Sequence, residues 1–127
     1  MANTKKQILV VEDDQFLRGL MVKKLESEDF DVMQAVDGES GLRLAREKKP
    51  DLILLDLILP GIDGFEVLRQ LKAGSDTADM QVVVLSNLGQ KDDIDRALSL
   101  GAKDYLIKAH FTPGDIVEKV KVLLSVR

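Results

Sequence analysis

Apolar residues gather in five short runs along the chain, and after each run they recur at helical spacing. The runs are residues 7–11 (QILVV), 30–36 (FDVMQAV), 51–56 (DLILLD), 80–86 (MQVVVLS) and 104–108 (DYLIK). Their length and their β-branched content predict strands. Leu17, Leu20, Met21 and Leu25 mark a first helix, Leu42 and Ala45 a second, and Leu68 and Leu71 a third. Ile94, Ala97 and Leu98 mark a fourth, and Ile116, Val117, Val120, Leu123 and Leu124 a fifth. Each stripe predicts a helix with one apolar face. The punctuation agrees. Asp14 can cap the first helix, and Gly74 and Gly101 fall where C-terminal caps belong. Thr112-Pro113-Gly114-Asp115 reads as an N-cap, a proline at the first helical position and an acid two residues later.

Five strand–helix units of this length predict a parallel sheet with helices on both faces, a three-layer α/β sandwich. The first, third and fourth runs are apolar almost throughout, as strands covered on both faces should be. The second alternates, Val32, Gln34 and Val36 against Met33 and Ala35, and the fifth is short. Both therefore belong at edges. The doubly wound order 2-1-3-4-5 satisfies these constraints, and handedness leaves few rivals. Its switch point lies between the first and third strands. Glu12, Asp13, Asp14 and Asp56 all emerge there, at the carboxyl ends where such sheets bind ligands.

Composition narrows the function without choosing it. The 127 residues suit one domain, residues 1–127, with 1–6 as a short N-terminal tail. With 45% hydrophobic and 31% charged residues the chain reads as an ordinary globular protein. No cysteine is present, which excludes disulfides, thiolate metal sites and a cysteine nucleophile, and fits a reducing compartment. No apolar run approaches the roughly 20 residues of a membrane span, and no signal peptide is visible, so a cytoplasmic location is expected. The net charge is −4 and no basic stripe stands out, which argues against nucleic acid and for a protein partner.

Helix capping or a strand end would explain any one of the acids taken alone. Several carboxylates in one crevice repel one another unless a cation or proton intervenes. All are oxygen donors, so a hard divalent cation, Mg²⁺ above all, suits them. Ser86 and Lys108 close the fourth and fifth strands and would face the same crevice. A turn serine or a solvated lysine is the plain reading of each by itself. Together, an acid nucleophile, a metal, a hydroxyl and a lysine make a phosphoryl-transfer site.

The segments VVEDD, LLDLILPGIDGFEVL, VVVLSN and GAKDYLIKA resemble, in order and spacing, the successive signatures of the response-regulator receiver family of two-component signalling. The likeness runs from about residue 7 to residue 126. It implies a flavodoxin-like (βα)₅ fold, and members of the family exemplify the 2-1-3-4-5 order, so order and likeness are not independent. It implies that Asp56 accepts a phosphoryl group from a phosphohistidine of a sensor histidine kinase or phosphotransfer protein. Asp13, Asp56 and the backbone carbonyl of Ile58 would ligate Mg²⁺, with Glu12 acting largely through water, while Asp14 remains a helix cap. Lys108 would pair with phosphoryl oxygens, and Ser86 would bond to one and move toward it. Tyr105 matches the aromatic that swings inward in response, although a half-exposed edge-strand aromatic is its plain reading. Pro60-Gly61 fits the turn after the acceptor strand. The fourth helix, fifth strand and fifth helix, about residues 90–126, would signal to a separate output protein. The domain would be no enzyme beyond assisting its own phosphorylation and dephosphorylation.

The chain departs from the family pattern in two places. The lysine is usually followed by a cis proline, but here by Ala109, and AHFTP is one residue longer than usual. A cis bond before a non-proline residue is costly, so a trans loop is expected, with His110 as the extra surface residue. Ile58 and Leu88, two residues beyond Asp56 and Ser86, are apolar and orient no water, which predicts a long-lived phosphorylated state. Three alternatives carry other chemistry. A flavin module would need a phosphate loop where Glu12-Asp13-Asp14 stands. An aspartyl phosphatase would ordinarily need an acid at position 58. A receiver-like scaffold would work without phosphorylation.

Overall fold

A computed structural model describes residues 5–125. Most of the expected tail, residues 1–6, lies outside them. The elements alternate in the predicted order: β1 (Gln7–Val11), α1 (Gln15–Ser27), β2 (Asp31–Ala35), α2 (Gly38–Lys48), β3 (Leu52–Leu55), α3 (Gly64–Ala73), β4 (Gln81–Ser86), α4 (Lys91–Ser99), β5 (Asp104–Ile107) and α5 (Pro113–Leu124). All strand pairs are parallel and the order is 2-1-3-4-5. The short fifth strand and the alternating second stand at the edges, as the pattern predicts.

Side-chain alternation along the strands divides the core in two. Leu9, Val11, Ile53, Leu55, Val82 and Val84 point to one face and pack with α2, α3 and Ala97 of α4. Ile8, Val10, Leu52, Leu54, Val83 and Leu85 point to the other and pack with α1 and α5. β1 and β3 thus bury both faces, which is why they read as unbroken apolar runs.

Strand ends are shorter than the apolar runs. Phe30 is buried in the core but lies in the turn before β2, its amide bonded to the Leu25 carbonyl. Val36 lies past the strand and is exposed. Asp51 stands before β3 and accepts the Gln7 amide through Oδ2 at 2.7 Å. The helical stripes are also imperfect guides, because Leu20 and Leu98 are exposed on α1 and α4.

The predicted caps are present. Asp14 accepts the Leu17 amide, and Thr112 and Asp115 exchange the reciprocal bonds of a capping box. Gly101, just past α4, has φ +109°. Gly74 ends α3 at φ −84°, so it is not a left-handed cap. Space decides there instead, since a Cβ would lie 2.6 Å from Thr77 Oγ1. No peptide bond among the described residues is cis. Lys108–His110 form a single 3₁₀ turn, and the trans loop expected at Ala109 is what is found.

Candidate functional site

Register brings the acids together. Val11 pairs with Leu55, so the next residues, Glu12 and Asp56, leave the sheet side by side. The amide of Asp56 extends the ladder by bonding to the Val11 carbonyl, and that of Glu12 bonds to Ala35. Ser86 pairs with Ile107, so Lys108 follows at the same end of the sheet. This is the switch point at which doubly wound sheets bind ligands.

Glu12 and Asp56 are buried, and Asp13 beside them is exposed. Carboxylate oxygens of the three lie within 4.8 Å of one another. Lys108 Nζ bridges the two buried acids, at 2.6 Å from Glu12 Oε1 and 2.9 Å from Asp56 Oδ2. The other Asp56 oxygen, Oδ1, accepts the amides of Leu57 (2.7 Å) and Ile58 (3.3 Å). Glu12 Oε2 accepts the Asp14 amide at 3.0 Å.

Burial pushes the Glu12 carboxyl above its ordinary pKa, against the opposing hydrogen bond from Lys108. Burial works against the Lys108 ammonium too, yet its bonds to Glu12 and Asp56 and their charges outweigh it, so its pKa is raised. Three acids against one ammonium leave net negative charge in a mostly buried crevice. Their donors are all hard oxygens, which fits a divalent cation such as Mg²⁺ or Mn²⁺ and not a soft metal.

Ser86 is fully buried, and its Oγ accepts the Leu88 amide at 3.3 Å. Tyr105 is half-buried with its ring against the core, and its hydroxyl donates to the Leu88 carbonyl. Both backbone groups of Leu88 are therefore held, one by each of the two residues singled out as a switch pair. Burial raises the Tyr105 pKa, so its hydroxyl stays a donor. Asp14 acts as the N-cap of α1, and His110 is exposed. Gly61 has φ +76°, as the expected turn after the acceptor requires.

Three features of the site have no role that the sequence assigns, although Gly64 lies within the segment LLDLILPGIDGFEVL. Gly64 lies where a Cβ would be 2.3 Å from the Asp56 carbonyl oxygen. Glu39 of α2 accepts the Ile62 amide at 3.1 Å and thereby holds the β3–α3 loop. Arg18 of α1 donates to the carbonyls of Glu12 and Asp13. Their partners are backbone atoms, which side-chain patterns do not reveal.

Fold and site together define a flavodoxin-like domain with a cation-compatible acid cluster bridged by a lysine. Residues 8–121 match the response regulator receiver domain model. The DNA-binding dual master transcriptional regulator RpaA of Synechocystis is 42% identical over 118 residues, covering 93% of this chain and 48% of that protein. A CheY-like receiver domain protein from Methanospirillum hungatei superposes with a TM-score of 0.89 at 27% identity, over 96% of this chain and 95% of that one. The Mn²⁺-bound form of the response regulator Rcp1 superposes at 0.81 with 30% identity, over 91% of each chain. The chain belongs to the response regulator receiver domain family of two-component signalling. It spans about half the length of the curated relatives it matches. No helix among the described residues is long and apolar enough to cross a membrane.

Proposed function

We propose that this receiver is phosphorylated on Asp56 by a phosphohistidine of a sensor histidine kinase or phosphotransfer protein, with Mg²⁺ bound by Asp13, Asp56 and the Ile58 carbonyl and assisted by Glu12. The observation that carries this reading is Lys108 bridging Glu12 and Asp56 within a crevice that also gathers Asp13. An Asp56 carboxylate oxygen attacks phosphorus and a P–O bond forms. The P–N bond breaks, and its electron pair returns to the imidazole, which recovers a proton from solvent. The amides of Leu57 and Ile58 orient the carboxylate, and Lys108 is placed to follow the charge onto the phosphoryl oxygens. A divalent cation, when bound, neutralises the gathered charge and lets a phosphate dianion approach.

The phosphoryl group adds about −1.5 to −2 charges and strong acceptors. Ser86 Oγ accepts from Leu88 and also bonds with the Tyr105 hydroxyl, and on phosphorylation its hydrogen turns to a phosphoryl oxygen. One such charge-assisted bond contributes about 1.5–3 kcal/mol, enough to shift a two-state equilibrium roughly 10- to 150-fold. Because Leu88 is tied to both Ser86 and Tyr105, the shift reaches β5 and α4, and the α4–β5–α5 face reports it to a separate output protein in the cytoplasm. The domain catalyses nothing beyond its own phosphorylation and dephosphorylation.

The test is to incubate the protein with Mg²⁺ and a small phosphodonor such as acetyl phosphate and to measure its intact mass. A gain of one phosphoryl group, absent without Mg²⁺ and absent in Asp56→Asn, is the expected result. No gain in the wild type would instead favour a scaffold that works unphosphorylated.

A further inference from the structure

Arg18 lies outside the acid cluster yet grips the loop that carries it. From α1, its Nη1 donates to the Glu12 carbonyl at 2.9 Å and to the Asp13 carbonyl at 3.5 Å. Its Nε donates to Gln34 Oε1 on edge strand β2 at 3.1 Å. The guanidinium is thus fixed on one side by β2 and holds the β1–α1 turn on the other. A planar fork serves both from two separate nitrogens held in fixed geometry, where an ammonium offers donors from a single point.

The three clustered acids differ in how they are held. Glu12 is fixed by Lys108 and the Asp14 amide, and Asp56 by Lys108 and two loop amides. The exposed Asp13 carboxylate has no hydrogen bond or ion pair among the described residues. Its position depends on its backbone, and Arg18 is the side chain bonded to the carbonyls at that point.

We propose that Arg18 is a positioning residue, anchored by Gln34, that places Asp13 for the divalent cation. The proposal rests on reading the acid cluster as a cation site. Arg18 makes no contact with a carboxylate of the cluster, so its effect runs through the backbone. Residues that orient ligands from behind typically change metal affinity by about 10- to 100-fold when lost.

The sign of the effect separates positioning from charge. By Coulomb's law alone, removing a guanidinium near the site would strengthen binding of a cation. Positioning requires the reverse. The metal-stripped protein is titrated with Mn²⁺ by calorimetry, and its thermal melting is recorded without metal. Arg18→Met is expected to bind Mn²⁺ about 10-fold more weakly, at the low end of that range. Arg18→Lys should fall between Arg18→Met and the wild type. Gln34→Ala, which leaves every charge in place, should weaken binding by a smaller factor. Amide exchange at Asp14 should quicken in the metal-free variants.

Unchanged or tighter Mn²⁺ binding in both Arg18→Met and Gln34→Ala overturns the proposal. So does a lowered melting temperature with unaltered affinity, which would mark Arg18 as structural only. If Arg18→Met does not fold, Gln34→Ala and Arg18→Lys decide by the same criteria. If the wild type binds Mn²⁺ no better than Asp13→Asn, the cluster is not a cation site and the proposal falls with that reading. This last outcome is visible in the wild type and so is distinct from a failure of Arg18 alone.

Discussion

Ile58 and Leu88 stand two residues beyond Asp56 and beyond Ser86, where a polar side chain could deliver water to an acyl phosphate on the proposed acceptor. Ile58 is 57% exposed and its amide already serves Asp56, while Leu88 is half-buried against the core. Neither side chain can hydrogen-bond to water, so hydrolysis has no general-base help from them. The phosphorylated protein is therefore expected to outlast minutes in Mg²⁺, followed by intact mass after the phosphodonor is removed. Decay within seconds would refute this, and Ile58→Asn should shorten the lifetime if water orientation is the missing function. At this scale the sequence was informative. Glu12, Asp13, Asp56, Ser86 and Lys108 were all legible as strand-end polar groups, and all five meet at one end of the sheet. Arg18 was not legible, because it reads as one of many helix-surface cations until its carbonyl partners are known.

The β3–α3 connection shows what an element boundary adds to a residue list. Gly61 turns the chain at φ +76°, Glu39 holds the Ile62 amide, and the Gly64 amide bonds back to the Leu57 carbonyl at 2.9 Å. This folds the start of α3 against the acceptor backbone. A Cβ on Gly64 would lie 2.3 Å from the Asp56 carbonyl oxygen and 2.6 Å from the Leu57 Cα. Neither is the flexible end of a side chain, so the backbone of the acceptor itself must move. Gly64→Ala is expected to destabilise the fold by about 1–3 kcal/mol, as overpacking does, and to slow phosphoryl uptake. Denaturant melts and the mass assay check the two effects, and unchanged stability would show that the loop yields freely. Element types and order could be read from periodicity, but the ends could not. Phe30 belongs to the apolar run of β2 yet lies in the turn, where the bond from its amide to Leu25 places it in the core. Periodicity reports which residues face inward, not where the ladder stops.

In the whole molecule, three carboxylates gather within 4.8 Å of one another and a single ammonium bridges two of them, so the fold carries their repulsion in the absence of metal. A divalent cation that binds only the folded state stabilises it by RT ln(1 + [L]/Kd), about 2.7 kcal/mol at a hundredfold excess over Kd. Mg²⁺ or Mn²⁺ should accordingly raise the melting temperature of the wild type, and far less that of Asp13→Asn or Asp56→Asn. Asp56→Asn should melt higher than the wild type without metal, because it removes one of the repelling charges. An equal response of all three proteins to the cation would show that the cluster does not bind it. The sequence by itself determined the alternation of strands and helices, the edge and central strands, and the polar residues that gather at the strand ends, because burial and strand-end placement leave a mark on residue type. Tertiary structure alone decided the strand register that sets Glu12 beside Asp56, the bridge from Lys108, and the grip of Arg18, Glu39 and Gly64 on the loops. Some of those contacts join residues far apart in the chain and others, such as those of Arg18 and Gly64, run through backbone atoms common to every residue, so no pattern of side chains could announce them.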